Sequence, residues 1–410
     1  MKRIACLFMA VTLLLGLTAC ESGEKKDLTS DINPQQVKGK ETDESFEKIY
    51  ADFAVKSFKN FTDKEKNSMI SPVSIMLALS MTANGAEGET LEEMKNLLAE
   101  GLETEELNQY LYTLSEKLTQ GESAMKIANS VWFRDDENRL QVNEDFLQTA
   151  ADYYNAQIFK EPFNEQTLND INDWVKKNTD GMIEKILDEI DIDTVMYLIN
   201  AITFEAQWER IYYDTEIFEG TFYNSDGSEA QREFMYSEEN KYISLNGAEG
   251  FIKDYKGGNF SFAALIHPEN MEIDEFIEGL EGETLLNAFK NYENEPVVVN
   301  MPKFSSEYEI ELKEPLIDMG MERAFDSGKA EFEKMCTSTR GNVYINRVVH
   351  KTFINVDEKG TTAGAVTMVE ANDEGAILGK EVKLDRPFLY FIIDNETGIP
   401  LFMGKILNLT

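Results

Sequence analysis

The feature that most constrains this 410-residue chain is a long segment close to its C-terminal end with an almost uncharged stretch inside it. Residues 357–380 read Asp-Glu-Lys-Gly-Thr-Thr-Ala-Gly-Ala-Val-Thr-Met-Val-Glu-Ala-Asn-Asp-Glu-Gly-Ala-Ile-Leu-Gly-Lys. They separate a long alternating strand pattern, 343–356, from a closing hairpin pattern, 388–407. A structureless stretch of this length inside a compact domain is usually functional. Its composition is that of a strand, because Thr361 to Ala371 is small, β-branched and nearly free of charge. Alternate side chains of a strand share one face. Here one face would hold Thr361, Ala363, Ala365, Thr367, Val369 and Ala371, and the other Thr362, Gly364, Val366, Met368 and Glu370. The first face can be buried without burying a charge; Asp373 is the first charge of its parity. The pattern fits an ordinary edge strand or a loop able to become an inner strand.

Charge removes several classes of function. Lys and Arg total 39 against 76 Asp and Glu, a formal net charge of −37. Nucleic-acid binding needs Lys and Arg to neutralise phosphates, so no nucleic-acid partner is expected, and a bare anionic membrane is a poor one. Two histidines, His267 and His350, exclude a His-rich metal site, and no metal or cofactor is expected. Apolar residues make up 42% and aromatics 11%, enough for a sizeable core rather than disorder.

The N-terminal end reads as an export signal. Lys2 and Arg3 precede an apolar run, Ile4 to Leu17, too short and too terminal for a spanning helix. Its ending, Leu17-Thr18-Ala19-Cys20, resembles a bacterial lipobox. Residues 1–19 are then a lipoprotein signal peptide, and Cys20 is the lipidated first residue. Residues 20–43, charged and without apolar period, read as a flexible tether. The expected location is a bacterial membrane, lipid-anchored and facing the periplasm or cell surface. Cys6 leaves with the signal, so Cys336 is left without a disulfide partner and reads as a small buried hydrophobe.

Residues 44–410 contain no linker and no repeat and read as one domain. Phe46, Ile49, Tyr50, Phe53, Ala54 and Phe58 recur at helical spacing. Ser71-Pro72 opens a second helix with Ser71 as N-cap. A third starts near Leu91, and another is expected over 172–185. Strand patterns follow at 126–133, 196–204, 260–267, 296–301 and 343–356, with a hairpin of 388–393 and 401–407 about Asn395 to Gly398. Helices with mostly antiparallel strands imply an α+β class.

Several stretches together resemble the serpin family. Glu358-Lys359-Gly360-Thr361, followed by small residues, is similar to the hinge of a serpin reactive-centre loop. Asn67 to Ile75, running on to Gly85-Ala86-Glu87-Gly88-Glu89-Thr90, and Ile127 to Phe133 resemble signatures of the same family. So do Asn200-Ala201-Ile202 with Phe204 and Trp208, Pro302-Lys303-Phe304, and Val349-His350-Lys351. Arg386-Pro387-Phe388 and Leu401 to Lys405 complete the family's order across the body.

The resemblance implies a serpin fold of three β-sheets, eight or nine helices and an exposed reactive-centre loop. It implies a suicide-substrate inhibitor, not an enzyme. A target protease, serine or also cysteine, attacks the loop and forms an acyl-enzyme. The cleaved loop inserts into the central sheet and carries the trapped protease with it. A monomer is expected. The hinge residues carried over are Glu358, Gly360, Thr361, Ala363, Ala365 and Thr367. Gly364 and Val366 depart from the commoner alanine but lie on the outer parity. Ser71, Ser74, Asn200 and His350 match the polar cluster beneath the central sheet, Trp208 the tryptophan near the opening, and Lys303 with Glu358 a pair bridging the loop's root. The family's usual spacing from Gly360 places the scissile bond at Glu374-Gly375; counting back from Arg386-Pro387-Phe388 places it at Ala376-Ile377. The first suits a cationic primary pocket, the second a small apolar one.

Two other readings compete. One is a serpin-fold binding protein without inhibition. The other is a glycan-binding surface lipoprotein or glycoside hydrolase built on paired carboxylates. With 76 acidic residues, chance pairs are expected. A serine hydrolase is disfavoured, because no Gly-x-Ser-x-Gly elbow is present.

Overall fold

The apolar period beginning at Phe46 becomes the helix Glu44–Phe61, started by Asp43, whose Oδ1 accepts from the Phe46 amide at 3.0 Å. Phe46, Tyr50, Phe53, Ala54 and Phe58 face the core as the spacing predicts. In the computed structural model the chain is described over residues 26–99, 101–119, 125–135, 139–191, 194–361 and 379–410. The helix Pro72–Ala83 is buried at every position, as a helix apolar all round must be. Ser71 occupies its N-cap position without capping it, because its hydroxyl donates to the Leu401 carbonyl at 2.8 Å instead. The helix expected over 172–185 lies earlier, at Glu165–Asn178. Asn164 and Thr167 form a capping box at its start, and Asp180 and Gly181, both with positive φ, turn the chain beyond its end.

Among the described residues there are nine α-helices and three principal sheets of eight, six and four strands, with a small two-stranded ribbon. The α+β architecture of three sheets and eight or nine helices expected from the sequence is thus observed among the described residues. The six-stranded sheet contains Phe260–Ile266 and the hairpin Phe388–Asp394 and Pro400–Ile406, which turns through Gly398 at φ +73°. The four-stranded sheet runs Lys380–Lys383, Val297–Pro302, Glu229–Glu239, Ile217–Tyr223.

The largest sheet has Met125–Arg134, Met196–Phe204 and Arg347–Val356 at its centre. Strand 196–204 is buried throughout. Tyr197, Ile199 and Ala201 face a smaller core under helix 165–178, while Met196, Leu198 and Ile202 face the main core. Both faces are covered, which explains an apolar run interrupted only by Asn200 and Thr203. The strand expected to begin at Val343 starts only at Arg347. Asn346 caps the neighbouring strand instead, accepting from the Val195 amide at 2.7 Å.

The tether reading of residues 20–43 needs correction from residue 26 onward. Lys26–Asp27 pairs antiparallel with Gln157–Glu161 at the edge of the large sheet. The Leu28 amide donates to the Ile158 carbonyl at 2.7 Å, and Leu28 and Ile32 pack against the core. Further along, the Gln35 amide donates to Asp152 Oδ1, and Lys40 Nζ lies 2.5 Å from Glu106. A polar composition concealed two apolar anchors and an edge strand with free backbone groups to pair. Cys20 lies outside the described residues.

Candidate functional site

The site is a seam. Strands 196–204 and 347–356 run parallel, and their pairing extends from Arg347 opposite Tyr197 to Lys351 opposite Ala201. Both strands continue beyond, to Phe204 and Val356, without pairing with each other there. On its other side strand 347–356 is held along most of its length by Phe304–Glu311. The sheet is therefore closed at one end of this seam and parted at the other.

A polar cluster ties the closed end. Asn200 and His350 stand opposite each other in register. The Ser74 hydroxyl donates to Asn200 Oδ1, and the Asn200 amide nitrogen donates to the Ser74 carbonyl at 3.1 Å and to Asn129 Oδ1 at 2.6 Å. The Ser71 amide donates to His350 Nε2 at 3.1 Å. The predicted residues thus form two hydrogen-bonded sets, Ser74 with Asn200 and Ser71 with His350, that meet where Asn200 stands opposite His350 across the seam. An accepting Nε2 requires the imidazole proton on Nδ1, which has no hydrogen-bond partner among the described residues. Complete burial pushes the His350 pKa down to about 3, so the ring is neutral. Asn129 and Thr352, whose hydroxyl donates to the Met69 carbonyl at 2.8 Å, belong to this region and were not singled out from the sequence.

The parted end receives the root of the long segment. Asp357 to Gly360 form a tight turn: the Asp357 amide donates to the Gly360 carbonyl, and Asp357 Oδ1 accepts from the amides of Lys359 and Gly360. Gly360–Thr361 then pairs with Ala206–Gln207 on one side and with Val356 on the other. Close approach of the neighbouring backbone is the reason for glycine at 360. A Cβ there would stand 2.0 Å from the Ala206 carbonyl oxygen. Thr361 is completely buried, as its parity predicts. Trp208 Nε1 donates to the Asp357 carbonyl at 2.9 Å, and the Trp208 and Tyr212 amides donate to the carbonyls of Lys359 and Glu358.

Lys303 and Glu358 meet at 2.9 Å, and Lys303 also reaches Glu233 at 3.0 Å. Burial disfavours the charge on Glu358, but the Lys303 ammonium outweighs it and holds the carboxyl below its usual range. Both partners are partly exposed, so the pair is worth about 0.5–1 kcal/mol. Glu358→Gln is expected to lower the thermal midpoint slightly, and the loss should shrink in high salt, as calorimetry at two ionic strengths would show.

Ala363, Ala365, Thr367 and both candidate bonds, Glu374-Gly375 and Ala376-Ile377, lie outside the described residues. The chain is described again from Gly379, and Lys380–Lys383 pairs in parallel with Val297–Asn300 of the four-stranded sheet. Cys336 is buried, and burial pushes its thiol up to about 12, which fits an inert hydrophobe rather than a nucleophile.

A mixed α+β protein with a seamed central sheet, and a segment rooted at the seam's parted end, is the class these elements define. The family described as Serpin (serine protease inhibitor) matches residues 48–409, and the chain belongs to it. Human neuroserpin is 29% identical over 381 residues, covering 88% of this chain and 91% of its own. The native state of the thermophilic serpin tengpin superposes with a TM-score of 0.91 at 46% identity, covering 94% of this chain and all of that one. The latent state of tengpin gives 0.81 at 47% identity, covering 91% of this chain and all of that one. Human thyroxine-binding globulin complexed with thyroxine gives 0.80 at 25% identity, covering 89% and 98%.

Proposed function

We propose that this serpin is a suicide-substrate inhibitor of proteases, and that the segment following Thr361 is its bait loop. The observation that carries the reading is the seam: a parallel pair closed at Asn200 and His350, parted beyond Lys351, with the loop root already at its opening. Parallel pairing is slightly the weaker kind per residue, so this is the natural place for the sheet to admit a strand. Once the protease nucleophile has attacked the scissile carbonyl and released the new amine end, the loop is held as an acyl-enzyme, and its insertion would satisfy the idle backbone edges of both strands by strand addition. The release of stored strain would then displace the tethered protease before deacylation. The small, uncharged parity of Thr361, Ala363, Ala365 and Thr367 supports the same reading.

The target is a serine protease, with cysteine proteases as further candidates. Cleavage at Glu374-Gly375 would select a glutamyl-specific enzyme, and cleavage at Ala376-Ile377 an elastase- or subtilisin-like one. The lipobox at Cys20 supports a lipid anchor that holds the inhibitor at a bacterial membrane facing the periplasm or cell surface. Protein lacking residues 1–20 should be mixed with a panel of such proteases. A band at the summed mass that survives denaturation is expected, with mass spectrometry locating the cut. Cleavage by every protease without that band would sink the inhibitory reading.

The likeness to thyroxine-binding globulin favours a second reading, a binding protein on the serpin frame. It predicts that a cut between 362 and 378 leaves thermal stability unchanged.

A further inference from the structure

The parted end of the seam holds residues that the sequence motifs did not mark. Tyr255 is completely buried, and its hydroxyl meets the hydroxyl of Thr361 at 2.5 Å. Its ring stacks on Trp208, with centroids 4.5 Å apart and planes within 8°. One stacked pair therefore bonds both ends of the hinge turn: Trp208 through the Asp357 carbonyl, and Tyr255 through the Thr361 side chain. The turn itself is only four residues long, so two such anchors leave it little room to move.

The stack has a charged brace. Lys253 is 3% exposed and pairs with Glu239 at 2.6 Å. Its ammonium lies 4.6 Å from the Tyr212 ring centroid and 5.6 Å from that of Trp208. Lys253 comes from Ala248–Asp254 of the six-stranded sheet and Glu239 from the end of Glu229–Glu239 of the four-stranded sheet. Separating a buried pair strands a charge, so the brace fixes the wall against which Tyr255 and Trp208 stand. Thr361 meanwhile has a strand on either side, 206–207 and 347–356. That is the environment of an inner strand, reached by one residue before any cut.

We propose that Tyr255 is a positioning residue that keeps Thr361 docked in the uncleaved protein, so that insertion extends a strand already begun. The inference rests on the insertion reading above, but docking itself can be measured without a protease. In a dry site, removing one hydroxyl of a pair leaves the other unsatisfied, whereas removing both is nearly neutral. Tyr255→Phe and Thr361→Val should each weaken docking, and the double variant should restore it.

The test is amide hydrogen exchange at residues 360–361 in the uncleaved, protease-free protein, together with inhibitor stoichiometry. The wild type should be protected at these amides. Each single variant should exchange about tenfold faster, as expected for loss of one buried hydrogen bond, and the double variant should return toward the wild type. With a trapped protease, each single variant should consume more inhibitor per enzyme, while kcat/KM for the first attack on the loop stays unchanged. Equal exchange in the wild type and Tyr255→Phe, or a double variant as fast as the two losses combined, overturns the proposal even if proteases are trapped. The exchange contrast without any trapped protease supports docking and removes the inhibitory reading instead.

Discussion

Thr361→Arg should abolish protease trapping while leaving the loop cleavable. The position is completely buried between two strands, and the variant would place an uncompensated guanidinium there. An unpaired buried charge costs on the order of 3–5 kcal/mol. That is enough to hold the hinge out of the sheet and to slow its entry about a hundredfold or more. Deacylation then outruns insertion, and the inhibitor becomes a substrate. Denaturing gels should show only cleaved chain, with the loop cut at the wild-type rate. Trapping at wild-type yield would mean that Thr361 does not enter the sheet.

The second large effect is on pH dependence. His350 is neutral in the folded protein, with its pKa lowered from the usual 6.5 to about 3 by burial. As pH falls below 6.5 the unfolded chain takes up a proton that the folded chain refuses. The stability contributed by this residue is therefore complete above pH 6.5 and is lost as pH drops toward 3. The slope is about 1.4 kcal/mol per pH unit for one such proton. His267, lowered by burial and by the neighbouring Arg386, acts in the same direction. Asp394, whose carboxyl pKa is raised by burial, acts in the opposite direction, so the contribution of His350 is isolated by comparing a variant with the wild type. His350→Gln supplies a carbonyl to accept from the Ser71 amide and cannot take up a proton. It should flatten the dependence by about one proton in denaturant titrations at several pH values. An unchanged slope in that variant would remove His350 from the account. Since His350 sits where the seam is tied, acid should also favour opening of the seam.

Much of this site was legible in the sequence, the hinge through its parity and the rest through the family resemblance. An uncharged alternating face is visible without a structure, whereas Trp208, Asn200 and His350 were marked by their match to the family's motifs. The partners of these residues were less visible. Tyr255 is 106 positions from Thr361, and nothing local separates a tyrosine that packs from one that anchors a hinge. Lys253 and Glu239 look like solvent-facing charges in their own strands; only the meeting of two sheets buries them against each other. Residues 26–43 misled for the opposite reason. Their charge suggested solvent, but backbone pairing at a sheet edge does not depend on side-chain polarity. The helix at 165–178 was displaced in the reading because its start is set by the side-chain bonds of Asn164 rather than by its apolar period.

Amide hydrogen exchange on the loop-cleaved protein tests the central claim most directly. In the uncleaved chain, residues 202–204 and 352–356 do not pair with each other across the parted end of the seam. If the loop inserts there, these stretches and the cleaved loop should become strongly protected together, and the thermal midpoint should rise sharply. If the cleaved protein keeps the exchange pattern of the uncleaved one, the loop does not enter the sheet and the chain is not an insertion-driven inhibitor.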